Sequence, residues 1–254
     1  LLPDRGIIPL FQLIKIAMAA GTLYFIPVPL TEDTTPQQVV PPEVIQRMHS
    51  LRHFIVENEK TARQFLGASG HPVPLREITL TVLTKETPNK DLQKLLQPVH
   101  QGMDVGLMSE AGCPGIADPG AALAAVAHHK GIRVTPLIGP SSVLLALMAS
   151  GLNGQRFTFL GYLPSDKAER IKTIKGIEFD SKKQQATQLF IETPYRNQHM
   201  LEDLIANLQA QTKLCVACNV SGTQELIVTK TVADWKKSTL PDLHKKPTVF
   251  LLLA

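Results

Sequence analysis

The sequence predicts an α/β protein of two domains. The first is built on a mostly parallel sheet with helices on both faces, the second on a mixed sheet with helices. Three observations predict this. From Thr22 to about residue 137, apolar runs of strand length alternate with helix-length segments, the rhythm of parallel strands joined by crossover helices. After residue 210 three apolar runs, KLCVACNV, ELIVTK and TVFLLL, follow one another closely, as strands of a mixed or antiparallel sheet do. A chain of 254 residues, 44% hydrophobic and 19% charged, has material for one large core or two modest ones.

Taken in order, TLYFIP (22–27) reads as the first strand, PPEVIQRMHSL (41–51) as a helix opened by prolines, and RHFIVE (52–57) as the second strand. NEKTARQFLGAS (58–69) is a helix and ITLTVL (78–83) alternates like a strand. NKDLQKLLQPVHQ (89–101) is helical, with Pro98 bending or ending it. MDVGLM (103–108) is a strand, GAALAAVAHHK (120–130) a helix closed by Gly131, and IRVTPL (132–137) a strand. VLLALMASG is a short buried helix after IGPSS (138–142). RFTFLGYL (156–163) and TQLFIE (187–192) are strands separated by a lysine-rich segment. PYRNQHMLEDLIANLQAQ (194–211) is the clearest amphipathic helix, with Thr193 as its cap and Pro194 as its first residue. One short helix is expected near TVADWKK. The domains are thus 21–138 and 139–254. Residues 1–20 read as a leader or non-native extension, with Met18 as a natural start and a signal peptide ending near AMA as the alternative.

Net charge is +4 and uneven: residues 1–154 carry 12 Lys/Arg and 12 Asp/Glu, residues 155–254 carry 14 and 10. A phosphate-bearing partner is therefore expected on the second domain, against the plainer reading of a solvated lysine surface. The three cysteines include a C-x-x-C pair, Cys215 and Cys218. No second pair or histidine doublet stands at ligand spacing, so no metal is expected. Strand alternation makes them small buried residues on opposite faces. An odd count without a disulfide pattern points to a reducing compartment, the cytoplasm. No run reaches the length of a membrane span.

The segment SEAGCPGIADPG (109–120) carries the chemistry. It follows the strand VGLM and precedes a helix, so it lies at a strand's carboxyl end, where open parallel sheets bind ligands. Three glycines let a ligand approach the main chain and two prolines stiffen it. It is not G-x-G-x-x-G and no Walker lysine follows, so a dinucleotide or triphosphate lacks its signature. Asp118 reads first as the cap of the following helix, with Pro119 at its first position. Glu110, at the strand end, is a ribose or sulfonium ligand or a solvated loop acid.

SEAGCPGIADPG, GIRVTPLIGPSSVLLALMASGL, RFTFLGYLP and FIETPYR (190–196) together resemble the tetrapyrrole methylase superfamily. These are the class III methyltransferases that use S-adenosylmethionine. The closest likeness is to the branch that methylates a cytidine ribose 2′-oxygen of small-subunit ribosomal RNA. The resemblance runs from about Gly21 to the C-terminus. It implies two α/β domains, a cofactor cleft between them and a homodimer. It also implies cofactor contacts from Pro27, Glu110, Gly112, Cys113, Pro114, Gly115, Ile116, Asp118, Ser141, Ser142, Leu160 and Thr248. Ser141 and Ser142 can equally cap the next helix.

The chain departs from that branch where the acceptor side is expected. PVPLTED (27–33) stands for T-P-I-G-N-L, ENEK (57–60) for E-D-T-R, TKETPNK (84–90) for H-x-H-N-E and CNVSGTQE (218–225) for R-E-L-T-K-x-x-E. A ribose hydroxyl is a poor nucleophile, so a base is expected among Glu57, Glu192 and Glu225, with Arg196 orienting a phosphate or carboxylate or simply pairing with Glu192. RNA is the expected acceptor, with Lys182, Lys183, Lys236 and Lys237 in its binding. Methylation of a tetrapyrrole or other small molecule is the alternative, and a non-catalytic cofactor- or RNA-binding protein is a third.

Overall fold

The computed structural model describes residues 20–254; the leader and the start at Met18 lie outside them. The first half runs β1 (Thr22–Phe25), α1 (Pro36–Val39), α2 (Pro42–His49), β2 (His53–Val56), α3 (Glu59–Ala68), β3 (Thr79–Val82), α4 (Asn89–Leu95), α5 (Gln97–His100), β4 (Val105–Met108), α6 (Ala121–His129) and β5 (Arg133–Pro136). Its five strands form one sheet in the order β3-β2-β4-β1-β5, all parallel. Period-two alternation splits them between two cores. Ile26, Phe54, Val56 and Met108 pack with α2 and α3; Leu23, Ile55, Val105 and Leu107 pack with α4, α5 and α6. Pro98 breaks the helix, and α4 and α5 are the two pieces. Gly106 is glycine because a Cβ there would lie 2.6 Å from Ile26 Cδ1 and 2.7 Å from Phe54 Cδ1.

β1 and β4 are neighbours, but the chain leaves them in opposite directions. After β1 it crosses one face through α1 and α2 to β2; after β4 it crosses the other through α6 to β5. That divergence opens a crevice at their carboxyl ends.

The second half runs α7 (Ser142–Ser150), β6 (Phe157–Tyr162), α8 (Lys167–Gln184), β7 (Thr187–Ile191), α9 (Asn197–Asn207), β8 (Lys213–Cys218), β9 (Leu226–Thr231), α10 (Val232–Lys237) and β10 (Thr248–Leu253). The sheet order is β6-β7-β10-β8-β9. Only β6 and β7 are parallel; the other pairs are antiparallel. Cys215, Ala217, Val249 and Leu251 face α7, while Val216, Cys218, Phe250 and Leu252 face α8, α9 and α10. Cys215 and Cys218 are thus buried on opposite faces.

Two local expectations are corrected. α6 starts at Ala121 with Gly120 at its cap position, so Asp118 does not cap it. α9 starts at Asn197, and Thr193 and Pro194 belong to a preceding turn in which the Arg196 N–H donates to the Thr193 carbonyl at 2.9 Å.

Candidate functional site

The loop after β4 is pinned to the loop after β1. Val28 and Gly112 exchange backbone hydrogen bonds of 3.0 and 3.1 Å. Gly112 has φ +67°, the left-handed region where a side chain is strained. Gly120 has φ +142°, and a Cβ on it would lie 3.1 Å from the Gly115 nitrogen. Ala117 is left-handed too, at φ +65°, a costly conformation for a residue with a Cβ. The loop is therefore held in one shape by the bridge, by its glycines and by the Gly115 N–H bonded to the Pro119 carbonyl at 3.2 Å.

Ser141 accepts the Leu144 N–H at 3.4 Å and caps α7. The Cys113 thiol reaches the Pro140 carbonyl at 3.3 Å and burial pushes its pKa up, so it stays protonated.

These loops and the second sheet line an open cleft. Gly112, Cys113, Ile116 and Asp118 line one side, Ser141 and Ser142 the end of α7, and Glu192, Pro247 and Thr248 the second sheet. Pro27, Glu110, Pro114, Gly115 and Leu160 lie outside the lining. Pro27 packs on Gly139, where a Cβ would meet it at 2.4 Å. Pro114 is buried in the loop. Glu110 is exposed and its N–H donates to Glu57 Oε2 at 3.2 Å.

Leu160 packs against the core under α8 and α9. The register between β6 and β7 slips between Phe159 and Tyr162, at Gly161 with φ +67°, and Phe159 and Tyr162 line the cleft instead. A glycine inside an otherwise good strand is the signal that marks such a bulge.

Carboxylates gather at one end. Asp118 is raised to about 6, by burial first and then by the charge of Glu57, with the Ser109 hydroxyl and Lys85 opposing. Glu57 is raised by burial and by Glu110, against the Glu110 N–H and Lys85. Tyr162 is raised by burial and by the charges of Asp118, Glu192 and Glu57. Lys85 Nζ stands 5.5 Å over the Tyr162 ring.

Glu192 is the most enclosed of the acids, its side chain 1% exposed. Its Oε1 accepts the Thr193 N–H and Arg196 Nη2, both at 2.6 Å, while its Oε2 is buried without a partner among the described residues. Beyond this pair lies a second cavity, lined by Ser165, Lys167, Arg170, Glu192, Arg196, His199, Glu202 and Asp203. Glu225 stands apart: its carboxylate accepts the Ser221 N–H at 2.7 Å, and it lines neither cavity.

The donor set fits S-adenosylmethionine. Apolar walls from Leu30, Val143, Phe159 and Val249 suit an adenine, hydroxyls and loop backbone suit a ribose, and Asp118 and Glu192 suit a cationic group. Among the described residues no group of His, Cys, Asp and Glu could hold a metal ion, and no helix is long and apolar enough to cross a membrane.

The fold is that of known methyltransferases. The crystal structure of the methyltransferase CobJ superposes with a TM-score of 0.61 at 18% identity, covering 92% of this chain and 94% of that one. Cobalt precorrin-4 methyltransferase CbiF gives 0.57 at 14%, covering 91% and 94%, and diphthine synthase 0.61 at 17%, covering 92% and 90%. No protein-family model matches the chain. Among curated proteins, the ribosomal RNA small subunit methyltransferase I of Escherichia coli O157:H7 is 30% identical over 209 residues, 82% of this chain and 68% of that protein. Its namesake from Xylella fastidiosa is 28% identical over 241 residues, 92% and 81%. The molecule is an S-adenosylmethionine-dependent methyltransferase of the tetrapyrrole methylase superfamily. Within it, the chain belongs to the ribosomal RNA small subunit methyltransferase I family.

Proposed function

We propose that this enzyme methylates small-subunit ribosomal RNA, at the ribose 2′-oxygen of a cytidine, with S-adenosylmethionine held in the cleft between two domains divided at residues 138/139. The observation that carries the reading is the cleft itself. It opens at the carboxyl ends of β1 and β4 and is walled by the pinned loop 109–120 and by the Glu192–Arg196 pair. The acceptor is that of the relatives, whose name is ribosomal RNA small subunit methyltransferase I.

When bound, the cofactor supplies a methyl group on a positively charged sulfur. The loop backbone around Gly112 and the hydroxyls of Ser141, Ser142 and Thr248 hold it, and the apolar walls keep water out. Asp118 would present negative charge to its cationic part, with the Glu57 charge beside it. Glu192 is the base: Oε2 takes the proton that the acceptor hydroxyl gives up. Arg196 holds Oε1 and turns its remaining donors toward a flanking phosphate. Glu225 braces its own loop. A ribosomal RNA acceptor supports a cytoplasmic enzyme. A second copy covers the apolar side chains exposed around α7, Ile138, Leu144 and Met148, giving a homodimer.

The test is transfer of labelled methyl from S-adenosylmethionine into purified small ribosomal subunits and into a small-molecule extract, side by side. Label in ribosomal RNA is expected. Label only in the extract would assign the enzyme to a small molecule, as the name of cobalt precorrin-4 methyltransferase implies for that protein.

A further inference from the structure

Helix α8 has 18 residues, about 27 Å of helix at 1.5 Å per residue. Its inward side is set by Arg170, Ile174, Ile177, Glu178 and Ser181, all buried. Lys172, Lys175, Phe179, Lys182 and Lys183 are exposed. Their spacing puts them within about 100° of arc, opposite the buried side. Phe179 stands in the middle of the four lysines and is 66% exposed.

The exposed charges of α8 are Lys167, Lys172, Lys175, Lys182 and Lys183 against Glu169 and Asp180, a surplus of three in a chain whose total is four. The first turn of α8 lies at the site, through its inward side rather than through the stripe. Lys167 and Arg170, in the first turn of α8, line the second cavity together with Glu192 and Arg196, and Glu192 also lines the cofactor cleft. The helix therefore starts beside the proposed reacting centre and leads away from it.

We propose that the outer face of α8 is a track for the single-stranded RNA flanking the target nucleotide, with Phe179 as the ring on which a base stacks and Lys172, Lys175, Lys182 and Lys183 on the phosphates. This rests on the RNA reading above. A lysine stripe alone is an ordinary solvated surface. A single ring centred in it, away from any apolar neighbour of α8's outer face, matches an alternation of charge and π-face, which is what unpaired nucleic acid presents. The lysines of α10, Lys236 and Lys237, lie on another helix of the same layer, with α9 between the two: α8 and α10 both pack on α9.

Three variants of the full chain test this: Phe179→Ala, Lys175→Ala with Lys182→Ala, and Lys236→Ala with Lys237→Ala as a matched loss of charge elsewhere. Each is measured for affinity to a mixed-sequence single-stranded RNA and to small ribosomal subunits across a salt series. Anionic phospholipid vesicles form a separate arm, and S-adenosylmethionine calorimetry checks the fold. Phe179→Ala is expected to cost about tenfold in RNA affinity with the salt dependence unchanged. The α8 lysine pair should flatten the slope of log K against log salt by about 1.4, roughly 0.7 for each lost phosphate contact. The α10 pair should change neither, and cofactor affinity should be constant throughout. A Phe179→Ala loss under twofold, an α10 pair as costly as the α8 pair, or an effect seen on vesicles and not on RNA overturns the track. Wild-type protein that binds neither RNA nor subunits would instead remove the RNA reading itself, and the track with it.

Discussion

Asp33 and Thr223, 190 residues apart in the chain, clasp the two halves of the molecule across the mouth of the cleft. The Thr223 N–H donates to Asp33 Oδ2 at 2.8 Å, and the Thr223 hydroxyl donates to the same oxygen. Leu30, Thr31 and Val220, close to the clasp in the chain, line the cleft. Asp33→Ala should speed cofactor release and weaken binding about fivefold, the scale of one net hydrogen bond. Stopped-flow release rates equal to wild type would show that the cleft opens elsewhere. The pH dependence follows from the Thr223 and Thr31 hydroxyls, which hold Asp33 down to about 2. The ionised form is the clasping one, so the clasp is complete above the ordinary carboxylate value and is lost only as pH falls through 2. Release should therefore owe no pH dependence to Asp33 between about pH 5 and 8.

Asp118 titrates in the opposite sense. Burial and Glu57 raise it from 3.8 to about 6, so the fold favours its protonated form. That contribution is complete below 3.8 and lost as pH rises through 6. Asp118→Asn copies the protonated form and should melt a few degrees above wild type at pH 7.5, with the gap closing toward pH 4. A cationic cofactor beside the carboxylate should pull its value down, so binding near pH 6 should release a proton in wild type and not in the variant. Calorimetry in buffers of different ionisation enthalpy reads this directly; equal proton release in both would place the cationic group away from Asp118.

Gly112→Val tests whether the loop's shape is what the cofactor needs. The left-handed backbone at Gly112 is hostile to a β-branched residue, and the added Cβ would sit 3.1 Å from Leu30 Cδ2. The bridge to Val28 should loosen and stability should fall by about 1–3 kcal/mol, with cofactor affinity falling more than tenfold. Wild-type affinity in a destabilised variant would mean that the loop is a structural turn alone.

The parallel sheet was legible because each strand is short, apolar and bounded by turn residues, and the loop at 109–120 because its glycines and prolines cluster at a strand end. What escaped was set by contacts distant in sequence. α8 reads only as a lysine-rich segment because two of its five inward positions are charged. Arg170 is satisfied by Asp203, with Nε and Nη2 at 2.9 and 2.7 Å from Oδ2. Glu178 is satisfied by the Gln209 N–H at 2.8 Å and the Thr212 hydroxyl at 2.5 Å. No hydrophobic period survives that substitution. Asp118 has the local signature of a helix cap, but the Gly115–Gly120 turn delays the helix and leaves the carboxylate in the cleft. Leu160 gives way to Phe159 and Tyr162 because one bulge at Gly161 shifts the alternation.

Assembly can be tested on α7. Leu144 and Met148 are one turn apart and 51% and 79% exposed, and Ile138 beside them is 78% exposed. Leu144→Glu with Met148→Glu should convert a dimer to a monomer in light scattering at tens of micromolar while leaving the melting temperature of the monomer nearly unchanged, since neither side chain is buried in it. A wild-type mass equal to that of one chain would refute the homodimer; a dimer that survives both changes would move its interface off α7.

The three candidate bases can be ranked by replacing each carboxylate with its amide. Glu225 accepts the Ser221 N–H and lines neither cavity, so Glu225→Gln should leave methyl transfer within about twofold of wild type. Glu57 lies at the acidic end with Asp118, and Glu57→Gln should chiefly alter cofactor affinity. It should also lower the Asp118 pKa, by removing the charge that raises it. Glu192 is different in kind. Its Oε1 is occupied by Thr193 and Arg196, but its buried Oε2 has no partner among the described residues, and an unsatisfied buried carboxylate oxygen costs free energy that a ligand's donor would offset. In Glu192→Gln the amide oxygen can still accept from Arg196, so the fold and cofactor binding should hold. The amide cannot take a proton, and single-turnover transfer should fall about a hundredfold or more. Loss of rate with unchanged cofactor affinity identifies Glu192 as the base. An unchanged rate would return it to the role of a buried ion-pair partner, with Arg196 holding the turn that precedes α9.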